Sequence, residues 1–253
     1  MKKCFYILIA VFCPLIIALP VHASISDIEA AIMDKNYEQA RALSSQELKT
    51  SLDPKERIQA EYYLGLSQLR LGQYSQARSA FQIVMSATDS SDLYDRAAIG
   101  MIEALYVSGF YKEALQEGQK LLKKSPHSSF MSIIYLKMAR TYLKLTHWGL
   151  AKEYLHKIIN EFPQSLEASA ARNLMEEKEY FAVQVGSFLD RDKAQNLLEQ
   201  LKAKGQYVYI VETIANDEKK FYRVRVGQIT SLSDAQTLEA KLAQLGYPTL
   251  IYP

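Results

Sequence analysis

Apolar and polar positions along the chain follow two regimes. From about residue 27 to residue 163, apolar side chains recur three and four residues apart, and the pattern itself repeats. An aromatic, two intervening residues and an alanine occur as Tyr37-Glu38-Gln39-Ala40, Tyr74-Ser75-Gln76-Ala77, Tyr111-Lys112-Glu113-Ala114 and Trp148-Gly149-Leu150-Ala151, with the alanines 37 residues apart throughout. Large apolar side chains follow on the same helical face: Phe81 and Val84 after Ala77, Leu155 and Ile158 after Ala151. In three of the segments a small or polar turn precedes the aromatic, as in Leu71-Gly72-Gln73 and Ser108-Gly109-Phe110. Pro126 and Pro163 close the last two segments, since proline fixes φ and lacks the donor a helix needs. A fixed period of this length predicts stacked helical pairs, each burying a face against the next and leaving a concave surface. The alanines mark places where paired helices approach closely. The first unit is incomplete, opening on a weak helix from about Asp27 to Met33.

The second regime begins after a polar, Ala-rich stretch, residues 164–178, read as a linker or a final helix. Phe181 to Phe188 alternates with period two and ends in a glycine turn, as a half-buried strand does. Asp190 to Lys204 reads as a helix, Tyr207 to Thr213 as a strand, Ala215 to Lys219 as a hairpin connection, and Phe221 to Gly227 as a third strand. A helix then starts at Ser233 or Asp234, and Pro248 to Tyr252 finishes as a short strand. The halves repeat one another: Gly186 and Gly227, Ala194 and Ala235, Leu197 and Leu238, Leu201 and Leu242, and Gly205 and Gly246 are all 41 residues apart. Two strand-helix-strand copies make a small α+β, ferredoxin-like βαββαβ domain with both helices on one face of a four-stranded antiparallel sheet. The other face is expected to be uncovered. Alternation assigns its side chains: with Val183, Val185, Val224 and Val226 toward the helices, Ala182, Gln184, Phe221, Arg223 and Arg225 point away. With Val208 and Ile210 inward, Tyr207 and Tyr209 also point outward. An amide, two guanidiniums and aromatic rings suit a sugar polymer, whose apolar pyranose faces meet rings while its hydroxyls, acetamides and carboxylates meet polar groups.

Both regimes carry a family resemblance. The helical unit resembles the tetratricopeptide repeat through Leu64-Gly65 with Ala77 and Phe81, and through Tyr135, Ala139, Tyr142, Ala151 and Pro163. The usual period of that family is 34, so three further residues lengthen helices or loops here. Its aromatics, including Tyr62, Tyr63, Tyr74, Tyr94, Tyr106, Tyr135 and Trp148, read mainly as core, with a few left to line a groove for a peptide or partner helix. From about Tyr180 to Pro253 the chain resembles a SPOR domain, the sporulation-related repeat of bacterial envelope and cell-division proteins. The resemblance rests on Phe181-Ala182-Val183-Gln184-Val185-Gly186-Ser187-Phe188 and Tyr222-Arg223-Val224-Arg225-Val226-Gly227. It implies binding to peptidoglycan glycans, with preference for strands stripped of stem peptides. Carried over by position, the family's contacts fall on Gln184, Ser187, Phe221 and Arg223. Phe221 stands where some members have a tryptophan, which offers a larger face for sugar stacking. Arg225, Tyr207 and Tyr209 complete the candidate glycan-binding set.

The N-terminus changes the compartment and, with it, the chemistry. Lys2 and Lys3 precede an apolar run of 16 residues, Phe5 to Pro20, and Val21-His22-Ala23 follows. This is the architecture of a secretory signal peptide cleaved after Ala23, and the run falls short of the roughly 20 residues of a membrane-spanning helix. The expected organisation is a signal peptide (1–23), a helical repeat domain (24–163), the linker or final helix (164–178) and the SPOR domain (179–253). Localisation is expected in the periplasm, with no stable membrane span after cleavage. An inner-membrane-anchored form facing the periplasm is the alternative.

Cleavage removes Cys4 and Cys13, and with them any disulfide or thiolate. It also takes the formal charge from +2 to zero, and residues 178–253 carry ten basic and nine acidic side chains, so no basic surface for nucleic acid is expected. His127, His147 and His156 lie in the helical array without a metal-ligand cluster, and neither a phosphate loop nor a nucleophile elbow occurs. The reading is a non-enzyme with no catalytic residues, no cofactor and no metal. It binds glycan strands through the SPOR domain and an unidentified protein or peptide through the array, in cell division or wall remodelling. The alternative is an assembly scaffold working through the helical groove with little glycan affinity.

Overall fold

The computed structural model of the protein describes residues 24–214 and 219–253. The segment read as a signal peptide, and most of the hairpin connection, lie outside them. The array comprises α1 (Ile25–Met33), α2 (Tyr37–Thr50), α3 (Pro54–Arg70), α4 (Tyr74–Ala87), α5 (Ser91–Val107), α6 (Tyr111–Lys124), α7 (Met131–Lys144), α8 (Trp148–Glu161) and α9 (Leu166–Met175). The repeated aromatic opens the second helix of each pair. The first helices of several pairs carry side-chain caps: Ser24 forms a capping box on α1, Asp53 caps α3 ahead of Pro54, and Ser90 caps α5. The stretch after Pro163 folds as a helix over most of its length.

The four period-related alanines, Ala40, Ala77, Ala114 and Ala151, are all fully buried. Around them runs one continuous core, from Leu69 and Phe81 through Ile102, Ile134 and Leu155 to Leu174. Close packing is evident around Phe81, on both sides of its ring. A methyl added at Gly100 of α5 would lie 2.5 Å from its ring, and one at Gly65 of α3 would lie 3.0 Å away. The turns inside the pairs share a backbone device at the same period. Lys35, Gly72, Gly109 and Thr146 all adopt positive φ, between 57° and 80°. Glycine takes this conformation without cost, and lysine and threonine do not.

The C-terminal unit runs β1 (Phe181–Phe188), α10 (Arg191–Ala203), β2 (Val208–Ile214), β3 (Lys220–Ile229), α11 (Leu232–Gln244) and β4 (Leu250–Tyr252). The sheet order is β2-β3-β1-β4, antiparallel throughout, as a βαββαβ unit requires. The second helix starts earlier than expected, because Ser231 accepts the amide of Asp234 and caps it at Leu232. Val183, Val185, Val208, Val224 and Val226 pack with Ala194, Leu198, Leu201 and Leu242, so both helices cover one face. Among the described residues no helix is long and apolar enough to cross a membrane.

Candidate functional site

Strand pairing places the candidate residues on the face away from α10 and α11. Gln184 of β1 is in register with Arg225 of β3, and Ser187 with Arg223. On the other side of β3, Tyr209 faces Arg225, Val211 faces Arg223 and Thr213 faces Phe221. Register shifts between Gln184 and Gly186 let Val185 and Gly186 both serve the helix side while Ser187 returns to the outer face. The assignment of side chains to faces by alternation therefore matches the strand register.

The expectation that this face is uncovered is corrected. The end of α9 and the chain leading into β1 lie over its middle. Arg225, expected in solvent, is 1% exposed. Its Nη1 donates to the Glu177 carboxylate at 2.6 Å and its guanidinium stacks on Tyr252, 3.8 Å from the ring centre. Tyr209 is half-buried, 6.5 Å from Tyr180 edge to face, and its phenol pKa is pushed up by burial and by Tyr180. Gln228 donates to the phenol oxygens of both Tyr180 and Tyr207, and Tyr207 stays 60% exposed. Gln184, Phe221 and Arg223 are partly buried, and Ser187 is exposed.

The array reaches the sheet at further points. Lys144 of α7 donates to the carbonyls of Ile251 and Pro253 at 3.0 and 2.7 Å, and burial lowers its pKa to about 8. Asn173 of α9 donates to the Ile214 carbonyl, and Lys152 of α8 pairs with Glu179. Trp148 rests against Phe181, ring centres 5.5 Å apart, and Tyr252 packs on the array core. Beside the covered strip a cleft of about 660 Å³ remains between array and sheet. Arg223, Arg140, Tyr106 and Tyr252 are among its walls. Alternation along the strands could not have found Glu177, Lys144 or Arg140, which lie outside the sheet.

A second concavity lies far from the sheet, between α3 and α5. Its volume is about 860 Å³, with Tyr62, Tyr63, Ile58, Leu93 and Arg96 among its walls. Tyr62 also packs against the core, as do Tyr74, Tyr94, Tyr106, Tyr135 and Trp148. Tyr63 leans on Tyr62 and donates to Glu29. Among the described residues no group of three His, Cys, Asp or Glu side chains is arranged to hold a metal ion.

Residues 177–252 match the SPOR domain family model, over the whole of the sheet and its two helices. The C-terminal unit is a SPOR domain. Residues 59–87 and 134–165 match the tetratricopeptide repeat model, on α3–α4 and α7–α8, ahead of the SPOR domain in the chain. SPOR domains bind peptidoglycan and are typical of envelope proteins, and tetratricopeptide repeats mediate protein–protein interaction; neither family is catalytic. No curated protein matches the chain. Among solved structures the chain is similar to YrrB, described as a TPR protein with an unusual peptide-binding site. Identity is 18% over 59% of this chain and 90% of that one, with a TM-score of 0.28.

Proposed function

We propose that the protein is a non-catalytic adaptor of the bacterial cell envelope, exported by the N-terminal signal. Its SPOR domain holds denuded glycan strands, and its helical array recruits a protein partner in cell division or wall remodelling. The observation that carries the glycan half is the register of the outer sheet face, which sets Ser187 beside Arg223 and Gln184 beside Arg225, with Phe221 on the same strand. Arg223 is the central contact. It lines the open cleft, where a guanidinium gives a ligand oxygen a charge-assisted hydrogen bond. The Ser187 hydroxyl and the Gln184 amide address sugar hydroxyls and acetamides, and Phe221 offers a ring to a pyranose face. The array half rests on the concavity between α3 and α5, whose tyrosines and apolar side chains suit an extended peptide or a helix.

Cosedimentation of the whole chain with amidase-treated and untreated sacculi tests the glycan half. Retention should favour amidase-treated wall and fall about tenfold or more in Arg223→Ala and Gln184→Ala, the scale of a lost charged hydrogen bond. Equal retention of the double variant and the unaltered chain would remove this face from the reading.

A further inference from the structure

The SPOR face presents polar groups to a cover that does not satisfy them. Among the described residues, five of the eight buried side-chain nitrogen and oxygen atoms without a hydrogen-bond partner belong to this face: Gln184 Oε1, Thr213 Oγ1, Arg223 Nε, and Nε and Nη2 of Arg225. A buried polar atom without a partner disfavours the state that buries it. Among the described residues, the one ion pair to Arg225 comes from a carboxylate of the covering chain, Glu177. Most of the remaining attachment runs along the margins, through Trp148 on Phe181, Lys144 on β4 and Asn173 on β2. The margins of the junction are paired, and the centre of the face is left badly paired.

Glu177 has the chemistry of the ligand it excludes. Amide hydrolysis that strips a stem peptide from a glycan strand leaves a free carboxylate on each muramic residue, whereas an intact strand carries an amide there. A guanidinium distinguishes the two, because only the carboxylate adds a full charge to a two-point hydrogen bond. We propose that the cover is an autoinhibitory latch: Glu177 occupies the carboxylate site of Arg225, and a denuded strand must displace it together with the array to reach the whole face. The inference rests on the glycan reading above and adds that the resting chain is masked. Binding and undocking are then linked, and the affinity measured is the intrinsic one reduced by the fraction of chains that are open.

The test uses the whole chain and purified glycan strands, amidase-denuded or intact, with affinity read by titration. Glu177→Gln keeps the shape but removes the competing charge and leaves Arg225 buried without its counter-ion, which strongly disfavours the docked state. It should bind denuded strands at least fivefold more tightly than the unaltered chain. Trp148→Ala loosens the junction from the helix side without touching the glycan face, and should shift affinity in the same direction. Adding Arg225→Gln to Glu177→Gln should cancel the gain. Unchanged affinity in Glu177→Gln and Trp148→Ala, with the unaltered chain binding, overturns the latch and leaves the glycan reading standing. Absence of binding by every form overturns both.

Discussion

At the scale of single residues, the sequence period and the backbone agree where glycine is present and diverge where it is not. Gly72 and Gly109 announce a left-handed turn position, while Lys35 and Thr146 occupy it unannounced. For a β-branched residue the conformation costs about 1–2 kcal/mol. Thr146→Gly should therefore raise stability by about 0.5–1 kcal/mol after the added flexibility of the unfolded chain is counted, read as a shift in urea midpoint. Arg225 teaches the complementary lesson. Alternation gave its direction correctly but carried no information about what lies against it. The covering Glu177 is 48 residues away in the chain, and Lys144 touches β4 across more than a hundred. Contacts of that separation leave no local pattern.

Elements were the most legible scale, because each is dictated by a short-range rule. The period of 37 and the internal repeat of 41 place both architectures, and of the two readings of residues 164–178, linker or final helix, the helix forms because Ala168, Ala171 and Leu174 keep helical spacing and bury against the array. Boundaries slipped where a cap decided them, as Ser231 does for α11. Packing between elements was legible in kind but not in degree. The alanines foretold close approach, while glycines mark tighter places still: Gly118 against Met138, and Gly65 and Gly100 on either side of the Phe81 ring. Gly100→Ala should lose about 1–2 kcal/mol in thermal or urea unfolding, overpacking of about 1–3 kcal/mol outweighing roughly 1 kcal/mol of helix propensity. Gly149→Ala, where an added methyl meets nothing within 4 Å, should instead be neutral or gain a few tenths of a kcal/mol.

For the whole molecule, the decisive feature is the junction, and its pH response follows from Lys144. Burial is the main cause lowering its pKa from 10.5 to about 8, with Glu239 of α11 raising it and Arg140 of α7 lowering it further. An undocked Lys144 returns toward 10.5, so between about pH 8 and 10.5 the open form binds more protons. Docking therefore strengthens as pH rises through that window and is weakest below it. Small-angle scattering should show a chain growing more compact from pH 7.5 to 9.5, and Lys144→Met should abolish the trend. The ring contact between Trp148 and Phe181 has a practical corollary. The chain holds a single tryptophan, seated at this boundary, so the molecule carries its own optical gauge. Ultraviolet emission follows one indole, and a red shift on mixing with sugar polymer would time the parting of the two halves without any attached dye.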